Sequence, residues 1–405
     1  MASSSSSSPN LLTLILDITP STWGQRNIIR SAKDKALAAK KKSSAGPATL
    51  MDDVLTAILA LGVSFSCLNR DNALVVIAAT EYEAAVIYPR KAGEGCMESV
   101  VMGGGSGACG ERVDAGLLND YLRLGVAELI NRAAERSEKL NAKEGTNGEN
   151  KPQTSAMNKG AVIASALSIA LCTINRFMVA HHAGVSALAD TSYSSQRKDD
   201  EGILALMGGK SGSSKQQQQQ AQNEARGVLS SRALIIQASQ DRTSDYNALM
   251  NCAFAANKSD IVIDGCFIPS GWKDPSNGKE DPKTSPFLEQ IVDQTKGVYL
   301  SVPSGAAQVG GALSEVLMSV FLPPPNIRSS MNLPKLNNVD FRARCFETGE
   351  SIDVAQICNQ CLSIFKVKPK DRCLTCGAKV KKRSSSTGGS KRLKYQRHSD
   401  QLVVI

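Results

Sequence analysis

Two cysteine pairs near the end of the chain have a spacing that carries chemistry: Cys358-x2-Cys361, eleven residues, then Cys373-x2-Cys376. Each pair can form a knuckle that presents two thiolates to one tetrahedral zinc, with Zn–S near ~2.3 Å. Gly377 follows the second knuckle, where a tight turn favours a residue without a side chain. Leu362, Ile364 and Phe365 are placed to cover the site. The competing readings are structural free thiols or a redox pair, and two CxxC motifs side by side disfavour both. Four thiolates leave no open position for water, so the expected zinc is structural rather than catalytic. Its ligands are Cys358, Cys361, Cys373 and Cys376, one zinc per chain; Cys345, thirteen residues upstream of Cys358, reads as a spare thiol.

A second place for chemistry is the stretch LLTLILDITPSTWG (11–24), where an apolar run ends on Asp17. A phosphatase of the haloacid dehalogenase type needs D-x-D there, with the second Asp as general acid, and position 19 is Thr. A P-loop needs a lysine that GGGSGACG (103–110) does not have, so that stretch reads as a flexible loop. Asp17-x-Thr19-x-Ser21 is similar to the D-x-S-x-S metal-ion-dependent adhesion site of von Willebrand factor A domains, whose hydroxyls and carboxylates suit Mg²⁺. Pro20 stiffens that loop, the late Asp241 is displaced past its strand (QASQD), and Thr154 or Ser155 supplies the intermediate hydroxyl only approximately. We therefore expect no Mg²⁺ here, and Asp17, Thr19 and Ser21 to bond loop backbone N–H groups and fix a strand-to-helix turn. His181 and His182 end a helix, where their charged forms suit its negative pole. No catalytic residue emerges, and the chain does not read as an enzyme.

The elements that must position these residues alternate between strand and helix. Strands are expected at 11–17, 72–80, 84–89, 231–239, 260–268 and 297–302, and helices from Leu50 (capped by Thr49), at about 115–140, 157–182, 244–257, 285–295 and 307–321. The three residues between 80 and 84 predict an antiparallel hairpin. The remaining alternation implies an α/β fold, a mainly parallel sheet with helices on both faces and one antiparallel edge strand. KKKSSAGP (40–47) and KEGTNGENKPQ (143–153) read as loops, and the glutamine-rich stretch at about 186–226 as a low-complexity insertion. The division that follows is a disordered serine-rich start (1–9), an α/β domain (10–322), a linker (323–340) opened by three prolines, a four-cysteine module (341–380) and a basic tail (381–405).

No run reaches the ~18 uninterrupted apolar residues of a membrane helix, and the apolar run at 11–16 is too short for a signal peptide. A soluble, intracellular protein is the expectation, with its 11 cysteines as thiols or metal ligands rather than disulfides. The net charge of +9 is uneven: residues 341–405 hold 14 Lys/Arg against 5 Asp/Glu, so residues 1–340 sum to zero. Two clusters in the tail, Lys381/Lys382/Arg383 and Lys391/Arg392/Lys394, have the form of a bipartite nuclear-import signal. Phosphate contacts with DNA are the other use of such charge, although Tyr395 is the one stacking ring in the tail.

Several stretches taken together resemble one family, the smaller von Willebrand factor A-like subunit of the transcription and repair factor TFIIH. They are LLTLILDITPSTWG, AAVIYPRK, SRALIIQASQD, FLPPP followed by NNVDFRARCF, and CNQCLSIF…CLTCGA, covering about residues 10–380 apart from the insertions. The resemblance implies a von Willebrand factor A, Rossmann-like domain followed by a zinc module. It also implies a non-catalytic, nuclear, structural subunit of the TFIIH core, acting in RNA polymerase II transcription initiation and nucleotide excision repair. The implied partners are the larger A-type, zinc-bearing subunit and other core subunits, with DNA met indirectly and no membrane or small-molecule substrate. The rival expectation is a stand-alone nuclear zinc protein that binds nucleic acid through its basic end.

Overall fold

The computed structural model describes residues 10–38, 49–69, 72–89, 115–144, 160–182, 230–270, 283–302, 312–334, 339, 341–348, 350–369 and 371–379. The expected loops at 40–47 and 103–110, the insertion at 186–226 and the basic tail lie outside them, as does most of 143–153.

Six strands form one sheet: β1 (Asn10–Asp17), β2 (Ala73–Ala79), β3 (Ala84–Tyr88), β4 (Ser230–Gln237), β5 (Val262–Phe267) and β6 (Tyr299–Ser301), in the order β3-β2-β1-β4-β5-β6. All neighbours are parallel except β2 and β3. The helices are α1 (Pro20–Ala38), α2 (Met51–Leu68), α3 (Ala115–Glu144), α4 (Ile163–His182), α5 (Tyr246–Lys258), α6 (Pro286–Gln294) and α7 (Ala312–Phe321). The expected α/β class, with its mainly parallel sheet and antiparallel edge, is what the chain adopts.

β1 explains the layering. A strand buried on both faces reads as a continuous apolar run, because alternate side chains enter two different cores. Leu12, Leu14 and Leu16 join one core with residues of α2, α3 and α7. Leu11 and Ile15 join the other with residues of α4, α5 and α6. Leu14 pairs with Val76 of β2 on one side and Leu234 of β4 on the other. The strand order reverses at β1, so the crevice beyond the ends of β1 and β4 is the topological switch point of the sheet. Asp17 is the last residue of β1 and stands at that crevice.

Some local expectations change. The cap of α2 is Leu50 rather than Thr49; its N–H donates to Asp53 Oδ2 at 3.0 Å, so the acidic first turn supplies the bond that a threonine side chain was expected to make. The helix at 157–182 starts at Ile163, after Val162 N–H has bonded Thr80 O at 2.9 Å. α1 has a weak apolar stripe, and periodicity assigns it nothing. Among the described residues α2 is apolar enough for a membrane span by length and composition alone, but Val54, Ile58, Leu61 and Phe65 are buried in the core.

Beyond α7 the chain turns back along the sheet as a 3-10 helix (Pro325–Ser330). Arg232 of β4 donates to Pro323 O (2.7 Å) and Leu322 O (2.8 Å). Arg328 forks onto buried Asp264 of β5, with both N···O distances 2.6 Å. Burial pulls the Arg232 guanidinium down to about 10, against the opposing pull of Asp264 and with a further push from Arg328. The chain is therefore fastened to the sheet by one arginine at the start of the prolines and by a second just after them.

Candidate metal centre and the closed carboxylate crevice

The four cysteines with paired spacing converge. Their sulfur atoms all lie within 4.8 Å of one another, with Cys358 Sγ–Cys376 Sγ at 3.8 Å and Cys361 Sγ–Cys373 Sγ at 3.6 Å. A tetrahedron with ~2.3 Å metal–sulfur bonds has edges of ~3.8 Å. These four groups are therefore placed where they could hold one metal ion. Partial burial pushes the Cys361 thiol up, but the Ser363 hydroxyl and N–H, with Cys376 and Cys358 beside it, outweigh this and bring it down to about 6. Cys376 goes the other way. The Ala378 N–H favours its thiolate, while desolvation and the three neighbouring sulfurs hold its proton and push it up to about 12. One thiolate forms easily and the last does not, the state that a divalent cation would relieve by replacing the protons.

The backbone explains why the sulfurs meet. Three loops in the module repeat one pattern, an antiparallel bridge between residues seven apart: Arg344↔Ser351, Ile357↔Ile364 and Arg372↔Lys379. Inside each, the first cysteine N–H bonds a carbonyl five residues on: Cys345 to Glu350 (2.9 Å), Cys358 to Ser363 (2.9 Å) and Cys373 to Ala378 (2.8 Å). The strands β7 (Gln356–Ile357) and β8 (Ile364–Phe365) frame the middle loop. RCFETG (344–349) repeats RCLTCG (372–377) in sequence, with Thr348 where the other loop has Cys376. The first loop is a knuckle with one cysteine, a repeat that the spacing of CxxC pairs conceals.

Cys345 is buried and lies outside the four-sulfur cluster. Burial pushes its thiol up, but Thr348 Oγ1 and the N–H groups of Lys366, Thr348 and Glu347 hold it below the ordinary thiol range. Gly377 has φ +71°, as the turn requires, and Leu362 occupies the equivalent position after Cys361 at φ 59°. The left-handed backbone turns Leu362 outward, so it is 65% exposed and does not cover the site. Phe365, Phe346 and Cys373 form the buried cluster instead.

At the crevice, every direction of the Asp17 carboxylate is occupied by this chain. Oδ1 accepts from Thr19 N (3.0 Å) and Thr19 Oγ1 (2.6 Å). Oδ2 accepts from Ala238 N (3.0 Å) and Ser239 N (2.6 Å), across the sheet at the end of β4. Trp23 Nε1 donates to the Asp17 carbonyl at 2.9 Å. Asp17 thus fixes the turn into α1 through a backbone N–H as expected and also ties β1 to β4, whereas the Thr19 hydroxyl bonds the Asp17 carboxylate rather than a backbone N–H. Ser21 does otherwise: exposed on the first turn of α1, it donates to the carboxylate of half-buried Glu81 in the β2–β3 turn.

The sequence reading missed Arg26. It is fully buried, donates to Ala238 O (3.1 Å), Ile268 O (2.5 Å) and Pro269 O (3.5 Å), and its guanidinium lies 4.9 Å from the Trp23 ring centroid. Its spacing of three from Trp23 places both on one face of α1, the one signal that pointed to it. A built-in cation thus satisfies the carbonyl groups at the ends of β4 and β5. Asp241 stands four residues past β4 and accepts from Gln237 Nε2 (2.9 Å), Ser285 Oγ (2.5 Å) and Phe287 N (3.0 Å), holding the start of α6. Burial pushes its carboxyl up, against the hydrogen bonds of Ser285, Phe287 and Gln237 and the charge of Arg344. It does not meet Asp17. Thr154 and Ser155 lie outside the described residues, as do the side chains of His181 and His182.

The family described as Transcription factor Tfb4 matches residues 9–377. A relative from Debaryomyces hansenii, General transcription and DNA repair factor IIH subunit TFB4, is 28% identical over 393 residues, 93% of this chain and 86% of that protein. The Schizosaccharomyces pombe protein of corresponding name is 38% identical over 158 residues, 39% of this chain and 47% of that one. The solved TFIIH p34 N-terminal domain is similar at 18% identity with a TM-score of 0.43, over 77% of this chain and 98% of that one. With 369 of its 405 residues inside the match, this chain belongs to the transcription factor Tfb4 family.

Proposed function

We propose that this chain is a structural, non-catalytic subunit of TFIIH, acting in transcription and DNA repair. The observation that carries the reading is the family match over residues 9–377, which runs through both the α/β part and the four cysteines. Relatives named as subunits of the general transcription and DNA repair factor IIH support it. The α/β part is read as a von Willebrand factor A-type domain over 10–322, followed by a connection (323–340), a zinc module (341–380) and a basic tail (381–405). Its partners are other TFIIH subunits, among them the A-type subunit that also bears zinc fingers, and its location is the nucleus.

The metal is read as one zinc ion on Cys358, Cys361, Cys373 and Cys376, because four soft thiolates at tetrahedral spacing select it. When bound, zinc supplies cross-linking and no reaction, since four sulfurs close its shell. The absence of an enzymatic role is supported by the crevice: Asp17 has no lone pair left for a cation, and Arg26 already supplies positive charge there.

The test is co-purification of the tagged full chain, and of residues 1–340, from nuclear extract at moderate salt. TFIIH subunits recovered in equal amounts with the full chain support the reading. A monomer whose DNA affinity falls steeply with salt favours the rival, a stand-alone nucleic-acid-binding zinc protein, to which the +9 charge of residues 341–405 lends its one support.

A further inference from the structure

The cysteine module does not stand apart from the sheet domain. Thr243 Oγ1, one turn before α5, donates to the Phe346 carbonyl at 2.9 Å. Tyr246, the first residue of α5, packs against the buried Phe346–Phe365–Cys373 cluster, together with Cys358, Cys361 and Leu374. Its other side meets α6: the Tyr246 and Phe287 rings are 4.9 Å apart, and Tyr246 Oη donates to Gln290 Oε1 at 3.3 Å. The charge of Arg344, inside the one-cysteine knuckle, reaches Asp241, Tyr246 and Glu289. A single aromatic side chain thus lies between the buried cluster that contains Cys373 and the helix whose first turn Asp241 holds.

We propose that the four-cysteine centre is a clasp: metal occupancy holds the module on the 241–246 loop, and Tyr246 transmits that occupancy to the start of α6. The inference rests on the metal reading above. The cluster of Phe346, Phe365 and Cys373 is too small to persist by itself once the sulfurs are released, because a module of this size needs its metal as a staple. Its loss removes the partner of Thr243 and one whole side of Tyr246. The Asp241–Tyr246 loop and the first turn of α6 then open more often, a local event in a domain whose two cores are untouched. Metal occupancy would in this way govern a surface of the α/β domain and not the module alone.

Hydrogen–deuterium exchange of the full chain, metal-loaded and after chelation, tests this, with metal content measured on the same samples. Chelation is expected to speed exchange at 341–379 and also, by about tenfold, at 241–250 and 286–290, since one hydrogen bond and part of an aromatic contact are lost. Tyr246→Ala with Thr243→Val should retain the metal and show fast exchange at 241–250 before chelation, with no further change after it. Tyr246→Phe should behave as the parent chain. A chain that binds metal but confines the change to 341–379 overturns the clasp and leaves the metal reading standing. A chain without metal overturns both.

Discussion

Replacing Asp17 by alanine separates a carboxylate that holds the fold from one that holds a cation. The substitution removes four acceptor contacts, from Thr19 N, Thr19 Oγ1, Ala238 N and Ser239 N. Ala238 and Ser239 are 6% and 2% exposed, so water does not replace the lost oxygen. Each orphaned buried N–H costs about 1–3 kcal/mol, or about 2–6 kcal/mol for the pair. Against this, the variant no longer desolvates a charge, which returns part of the loss. The orphaned groups win, because they sit at the end of β4, which cannot move away from β1 without opening both cores. We expect a net loss of about 3 kcal/mol, or a Tm fall of about 6–12 °C for a domain of this size. Asp17→Asn should lose nearly as much, since its amide sets an N–H₂ against two N–H donors. Millimolar Mg²⁺ should change neither protein, whereas a cation at a hundred times its Kd would add about 2.7 kcal/mol to the wild type. Urea unfolding with and without Mg²⁺ reads both effects. A variant within about 1 kcal/mol of wild type, or Mg²⁺ stabilisation that Asp17→Ala abolishes, refutes the reasoning.

Other outcomes follow from the same contacts. Cys358→Ser with Cys373→Ser should remove the bound metal, measured by elemental analysis, and expose 341–379 to protease while the α/β domain still unfolds cooperatively. Arg328→Ala should cost about 3–5 kcal/mol, because it strands the buried Asp264 carboxylate; joint replacement of both by apolar residues of similar volume should recover most of that in urea unfolding. Asp241, with its carboxyl raised above the ordinary 3.8, favours the fold when protonated. Its contribution is full below the ordinary value and is lost as pH rises through the raised one. Asp241→Asn should flatten that part of the Tm–pH curve.

Much of this was legible in the sequence, for identifiable reasons. The apolar run of β1 announced a strand buried on both faces, and the two CxxC pairs announced four converging sulfurs, because spacing alone dictates both geometries. The turn role of Asp17 was legible from what was missing around it. Its second role, the bond to Ala238 and Ser239, was not, since a contact over more than 220 residues leaves no trace in local pattern. Arg26 lies in a segment that periodicity assigned to no element, and it is among the most buried side chains in the described residues. Leu362 was expected to cover the cysteines because it is apolar and adjacent; the positive φ that sends it outward is a property of the knuckle backbone. The one-cysteine knuckle at 344–351 escaped because its second position is Thr348, and only the shared hydrogen-bond register reveals it.

Native mass spectrometry of the assembly captured by the tagged full chain tests the central claim most directly. The account predicts one copy of this chain, carrying one zinc ion, within a complex of TFIIH subunits, and loss of the zinc when the four cysteines are replaced by serine. A free chain without zinc, or one found only on nucleic acid and never with those subunits, contradicts it.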